Sequence, residues 1–501
     1  MQEKLKTFKE KLKVLKKYYH AIALLNFDFE TIAPENAREE EADVISFFSN
    51  EAFKISSSDE MKKLIVELYE GRGDLEDPLD VSLIEKWYDS YQKTKNVTPE
   101  FEMKMSEAYN KAYTSWLKAK KNSNYGEFRD AFADVLTIGR EAINLREAKL
   151  EDFYDNCLND YEKGVLQADL DPLFAELREG LIDLINKIKA SDHEIRRDFL
   201  SREVPIYKQE EFSKYLLELN GYDFKKGALT TTEHPFTSDI AENDSRVTTH
   251  YYTNMFVSNI FSVIHEGGHA IFMQNERPED HEHFINDYIS NGMHESVSRF
   301  YENVIGRSKA YIYLIYPKFH ELFADELGDV SERELYEGVN IVEPSLIRTE
   351  ADEVTYGLHI IIRYEMEKAI ASGRLSVDDA PKAWNALYKE YLGVDVPNDA
   401  QGVLQDVHWT SGFGYFPSYA LGNCYNAMYY RRMKEELPVD EMIAKGDMNG
   451  IKEWMKANVF AEANVLTPKE WLKKITGEAL SPKAFLEYLN EKYADIYRLD
   501  K

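Results

Sequence analysis

Apolar residues step by three and four along the opening segment: Leu5, Phe8, Leu12, Leu15, Tyr19 and Ile22 fall on one stripe. Lys4, Lys6, Lys9, Lys11, Lys13, Lys16 and Lys17 interleave with them, so the period predicts an amphipathic helix with a wet, basic face. A similar spacing recurs in "PSLIRTEADEVTYGLHIIIRYEME", where Ile347, Ala351, Val354, Leu358 and Ile361 predict a helix that carries Arg348. "SVIHEGGHAIF" (262–272) reads as a buried helix and "NGMHESVSRFYEN" (291–303) as a helix beginning after Gly292. The period changes at 228–252, where Thr and Tyr are enriched and His234-Pro235-Phe236 breaks the run. That texture predicts two short strands around a loop. "GRGDLEDPLD" (71–80) is punctuated as a loop joining helices within one helical body. Gly267 and Gly268 sit inside the buried helix, each at a cost of roughly 1 kcal/mol relative to alanine. A strand or a substrate backbone passing close to the helix would account for them.

Composition sharpens this picture. Glycine (24) and proline (15) are scarce for 501 residues, which favours long helices and a mainly α fold. We expect one unit over 1–501, with an N-terminal helical arm (1–80), a small sheet region (228–252) and the metal and substrate site in 253–423. The formal charge of −29 disfavours nucleic acid and anionic membrane surfaces as partners. No stretch approaches the ~20 apolar residues that span a bilayer, and the charged N-terminus has no signal-peptide core, so a cytoplasmic protein is expected. Cys157 and Cys424 make neither a disulfide framework nor a cysteine metal site.

The chemistry begins at His265 and His269. Four residues apart on a helix, their imidazoles share one face and can grip one Zn²⁺. Glu266 points toward the same space, placed to take a proton from water that the ion activates. With 12 histidines in the chain, the pattern arises by chance about 3% of the time, so alone it suggests a metal without deciding it. A third ligand is needed. Glu295, 26 residues beyond His269, completes a His/His/Glu set with one position open. Glu302, Glu276, Glu279 and Glu282 are its rivals on spacing.

Seven motifs follow one another along the chain: "HPF" (234–236), "DSRVT" (244–248), "HEGGH" (265–269), "HES" (294–296), "IRTEAD" (347–352), "GVLQDVHW" (402–409) and "GYFPSYALGN" (414–423). In this order, and over nearly the whole chain, they resemble the M32 family of metallocarboxypeptidases, the thermostable carboxypeptidase group. The resemblance implies a large helical body with a deep substrate groove, a small β-sheet next to the HExxH helix, and a homodimer. It also implies removal of single amino acids from the free C-terminus of peptides. One Zn²⁺ per subunit would serve, with Co²⁺ as the alternative ion, and Glu295 would be the third ligand. "LLNFDFETIAP" (24–34) resembles a further family segment, except that Phe27 stands where a Trp is usual, a matter of packing.

A carboxypeptidase needs a cation for the terminal carboxylate, and an arginine fork suits it. The resemblance assigns this to Arg348; the local alternative is an i,i+4 ion pair with Asp352. Arg246 is a second candidate, with pairing to Asp244 as its structural alternative. His408, Tyr415 and Tyr419 lie in a glycine-punctuated loop, where they can donate to an oxyanion. Similarity to neighbouring helical zinc peptidases favours His408 and Tyr419, with Tyr415 next, while Trp409 and Phe413 suit the core. His234 is placed to line the pocket or cap the strand turn, and His250, His281, His283 and His359 read as structural. Two other functions remain open: an endo-acting oligopeptidase or dipeptidyl carboxypeptidase on the same scaffold, and an inactive acidic helical binding protein. The intact His265, Glu266, His269 and Glu295 argue against the last.

Overall fold

The computed structural model describes residues 1–499, and it is built mainly of long helices. The first, Gln2–Thr31, buries Leu5, Phe8, Leu12 and Leu15, but its stripe ends there: Tyr19 is 51% exposed. With Arg38–Ser56, Asp59–Glu70 and Pro78–Thr94 it encloses a small core of its own, which Ile285 joins from the larger body. The loop before the fourth helix is a helix start of the usual chemistry. Asp77 accepts the N–H of Leu79 (2.9 Å) and Pro78 takes the first helical position. Among the described residues no helix is long and apolar enough to cross a membrane.

The larger core runs from Ala112 to Tyr497, and its central rod is the helix Phe256–Gln274. Its two glycines answer to neighbouring helices, not to a strand or a substrate. A Cβ on Gly268 would stand 2.8 Å from Cα of Ser298 and 3.2 Å from the carbonyl oxygen of Val297. A Cβ on Gly267 would meet only Cδ2 of Leu217, at 2.6 Å, on the helix Ile206–Asn220. The helix at Gly268 is Asn291–Arg299, which continues into a π-helical turn over Phe300–Gly306. Its start is fixed from outside: the buried Glu162 carboxylate accepts the N–H of Gly292 and the hydroxyls of Ser290 (2.9 Å) and Tyr425 (3.3 Å).

The region 228–252 holds three strands instead of the expected two: β1 (Leu229–Thr231), β2 (Thr237–Ala241) and β3 (Asp244–Thr249). They lie in the order β1-β3-β2, with Leu229 opposite Val247 in parallel and Thr237 opposite Val247 in antiparallel register. The hairpin between β2 and β3 turns at Glu242-Asn243, a pair without glycine, so the sequence reads through it as one strand. The sheet leans on the central helix through Asn259, whose amide donates to Thr249 Oγ1 (3.0 Å).

The helix expected around Arg348 also departs from the pattern. Arg348 lies in a single 3₁₀ turn, Arg348–Glu350, and the helix begins only at Tyr356. Asp352 is the cause: its carboxylate takes the N–H groups of Glu343 (3.0 Å), Val354 (2.9 Å) and Thr355 (3.0 Å), which holds the chain in a turn.

Gly268→Ala should therefore destabilise the protein by about 1–3 kcal/mol, because backbone must move to admit the methyl group. Gly267→Ala should fall within about 1 kcal/mol of the parent, since a leucine tip can yield and alanine favours the helix. Urea midpoints of the two variants compare them directly.

Candidate metal centre

Helical periodicity places the imidazoles of His265 and His269 on one face, and the approach at Gly268 carries Glu295 opposite them. Glu295 Oε2 lies 3.6 Å from His265 Nε2 and 3.5 Å from His269 Nε2. One ligand atom from each residue falls within 4.8 Å of the others. Zinc with bonds of about 2.0–2.1 Å separates neighbouring tetrahedral donors by about 3.4 Å, so this donor set fits a small divalent cation. A third helix, Pro417–Glu436, makes room for the carboxylate: a Cβ on Gly422 would stand 3.0 Å from Glu295 Cγ.

The ligands are themselves held. His265 Nδ1 meets Glu302 Oε2 at 2.9 Å, so Glu302, a rival for the third ligand, instead orients the first. Arg299 bridges both carboxylates, donating from Nε to Glu295 (2.8 Å) and from Nη1 to Glu302 (3.3 Å). Burial alone would push the Glu295 carboxyl up, but Arg299 and the two imidazoles outweigh it and hold it well below the usual range. Burial likewise opposes charge on His265, yet Glu295 and Glu302 raise its affinity for a proton. Together the shifts describe a carboxylate kept ionised and an imidazole set among carboxylates, a donor set suited to a cation. His294 stacks on His269, ring centroids 4.5 Å apart, with their Nδ1 atoms in contact. Glu266 is buried beside the set, and the Thr237 hydroxyl lies within hydrogen-bond reach of both its carboxylate (2.7 Å) and its main-chain oxygen (2.8 Å).

A cavity of about 170 Å³ opens at the triad, lined by His269, His294, Glu295, Tyr415 and Tyr419 among others. The tyrosine rings lie 5.3 Å apart. Tyr415 precedes the helix Pro417–Glu436 and Tyr419 sits in its first turn, so Tyr419 is fixed by a helix rather than carried on a free loop. Burial pushes both phenols up, which keeps them protonated as donors. His408 packs between them and Phe416, centroids 5.2 Å from Tyr415, 6.3 Å from Tyr419 and 4.4 Å from Phe416. Burial, aided by Arg348 and Arg363 and opposed by Asp406, pushes the His408 imidazole down to about 4.

Arg348 does not pair with Asp352. Its Nε and Nη2 donate to Asp406 Oδ1 (3.0 and 2.8 Å) and its Nη1 to the Tyr356 hydroxyl (3.2 Å). The fully buried Arg363 takes the other oxygen of Asp406. Two guanidinium groups thus share one carboxylate, and the surplus is positive. Arg348 also lies 5.0 Å over the Tyr419 ring, at the edge of the metal cavity.

The remaining expectations fall elsewhere. Arg246 forks onto Asp244 (2.8 and 2.7 Å) and covers Phe27 (5.0 Å), the residue standing in for a Trp. His234 is exposed in the loop before β2. Neither lines the metal cavity. Trp409 and Phe413 are buried in the core. His250, His281, His283 and His359 contact Ser258, Glu276, Asp80 and Tyr388 respectively. Sequence reasoning passed over His294, Arg299, Tyr356, Asp406 and Thr237. For Arg299 a signal existed: Glu295, Arg299 and Glu302 are spaced i, i+4, i+7, one helix face. Asp406 carried one as the aspartate of "GVLQDVHW"; Thr237 had none, because its partner is distant in the chain.

Two outcomes follow from these environments. Glu302→Gln should weaken metal binding by about 10- to 100-fold, read by competition with a chromogenic chelator. The His408 ring should stay neutral down to near pH 4, read by NMR against His408→Gln. Because its folded pKa lies below the unfolded value, its contribution to stability is complete above about pH 6.5 and is lost as the pH falls toward 4.

Known proteins of this shape carry the same arrangement of helices. The family described as Carboxypeptidase Taq (M32) metallopeptidase matches residues 7–493. Carboxypeptidase 1 of Bacillus subtilis is 40% identical over 499 residues, covering 99% of each chain. Thermostable carboxypeptidase 1 of Thermus thermophilus is 36% identical over 487 residues, covering 95% of each. The crystal structure of the M32 carboxypeptidase from Deinococcus radiodurans R1 has a TM-score of 0.95 at 30% identity, over 99% of this chain and 100% of that one. A putative peptidase from Chlamydophila abortus, at 13% identity and a TM-score of 0.60, shares the fold.

Proposed function

This chain belongs to the M32 family of metallocarboxypeptidases, and from that premise we propose how its residues divide the removal of C-terminal amino acids from peptides. His265, His269 and Glu295 hold the divalent cation. Bound there, the ion supplies Lewis acidity, polarising the scissile carbonyl and acidifying water. Glu266 takes the proton of the attacking water and returns it to the leaving amine. Thr237 holds that carboxylate in place. Tyr419 and His408, with Tyr415 beside them, donate to the oxygen that gains charge.

Arg348 receives the terminal carboxylate, and one observation carries this assignment. Arg348 and Arg363 share the single carboxylate of Asp406, so the cluster lacks one negative charge, which a substrate C-terminus supplies. Three of the five N–H donors of Arg348 are engaged, and the other two are available to a carboxylate. Arg246 and His234, on the sheet side of Glu266, are assigned to the body of longer peptides. Zn²⁺ is the proposed resident ion, one per subunit, with Co²⁺ as the alternative, since nitrogen and oxygen donors do not choose between them. A homodimer, which rests on family resemblance, and a cytoplasmic location complete the reading.

Glu266→Gln should keep its metal and lose at least about 10³-fold in turnover. Mass spectrometry of a peptide digest should display a ladder of one-residue losses from the C-terminus, abolished by chelator. Two-residue steps or internal cuts would overturn the exo-acting role. Arg348→Met should cut kcat/KM for free-acid peptides by about 10²-fold or more, while leaving the poor rate on C-terminal amides nearly unchanged.

A further inference from the structure

A second cavity, of about 470 Å³, opens between the first helix, β2 and the segment 281–288. It is connected to the catalytic residues through β2. Thr237 at the start of that strand holds Glu266, while Asp239, Ile240 and Ala241 further along it line this cavity. At about 3.3 Å per strand residue, the cavity begins roughly 7 Å beyond Thr237 and extends to about 13 Å. Arg348, over the Tyr419 ring, is the proposed place of the substrate's end, and β2 reaches the site by a separate contact, at Glu266. We take the upstream residues of a peptide to leave along β2.

The lining has a definite chemistry. Asp239, Glu242 and Asp287 face the cavity against one lysine, Lys16, with His20 and His281 as the other titratable groups. Asp239 has a single weak partner, the Ser245 hydroxyl at 3.5 Å, and burial beside Glu276 and Asp287 pushes its carboxyl up to about 7. His281, 5% exposed, sets Nε2 3.3 Å from the Glu276 carboxylate and leaves Nδ1 buried without a hydrogen-bond partner among the described residues. Between these groups stand Tyr19, Trp87 and Tyr288, the last with Lys86 over its ring (4.7 Å), and Tyr19 is a member of the first helix's stripe that the core does not cover. Carboxylates framed by aromatic rings suit a cation on an apolar stem. The volume is that of a ligand pocket rather than a packing defect.

We propose that this cavity is a remote subsite that receives a lysine or arginine side chain of the peptide, two to four residues before the bond that is cut. The inference rests on the carboxypeptidase reading above and adds a preference that the metal centre does not impose. The surface charge of the chain acts in the same direction by drawing basic peptides to the groove.

N-acetylated hexapeptides with one common C-terminal pair test it. Each carries lysine, norleucine or glutamate at the second, third or fourth residue before the scissile bond. At one of these positions lysine should exceed glutamate by about tenfold in kcat/KM, through KM and not kcat, with the ratio shrinking at high salt. Asp239→Asn and Asp287→Asn should each reduce that ratio by about threefold, with an acetylated dipeptide as the reference substrate for each variant. Equal rates for lysine and glutamate at all three positions would overturn the subsite, as would a ratio that neither variant changes. If the metal-loaded parent fails on the acetylated dipeptide as well, the carboxypeptidase reading itself falls and the subsite with it.

Discussion

The contact between Phe256–Gln274 and Asn291–Arg299 at Gly268 is the constraint from which the rest of the site follows. Two histidines on one helix present two donors whatever surrounds them. A third donor from another helix reaches the same point only if the two backbones nearly touch. A missing Cβ makes that possible, with Ser298 Cα 2.8 Å from where it would stand. Gly422 repeats the device on the far side of Glu295. Three helices thus converge on one carboxylate, and the helix penalty of the glycines is offset by the donor geometry they permit.

Around that point the buried charges divide into two unbalanced groups. Glu295 and Glu302, with Glu266 beside them, face two arginines, Arg299 and Arg307, three carboxylates against two cations, and the surplus is negative. A short way off, Arg348 and Arg363 face one aspartate, and the surplus is positive. Burying unpaired charge is costly, so each group implies its missing partner, a metal cation in one case and a carboxylate anion in the other. Tyr356 stands between them, its ring beneath Arg299 (4.4 Å) and its hydroxyl on Arg348 (3.2 Å). Tyr419 borders both. The distance from terminal carboxylate to metal is then set by rigid aromatic packing rather than by a loop, which suits an enzyme that counts one residue from the end.

Outer residues explain why the inner ones stay put. Glu162, with three donors on its carboxylate, fixes the start of the helix that carries Glu295. Glu367 does the same for the segment leading to Tyr415, accepting from Gly414, Trp409 and Tyr154 at 2.9 Å each. Burial pushes both carboxyls up to about 7. Neither touches the metal cavity. Both act by ending a segment at a defined place.

The sequence by itself determined what lies within one turn of one element. The period of the first helix, the shared face of His265 and His269, and the run Glu295, Arg299, Glu302 are all local, because helical geometry converts spacing into direction. The order of seven motifs named the family, and with it the third ligand, by resemblance rather than by geometry. Tertiary structure alone decided the rest. It took Arg348 from Asp352, four residues away, and gave it to Asp406. It turned one apparent strand into a hairpin at Glu242-Asn243, ended the apolar stripe before Tyr19, and set helices instead of a strand against the two glycines. Each of these depends on segments far apart in the chain meeting at a particular angle, and no spacing along a single segment encodes that angle.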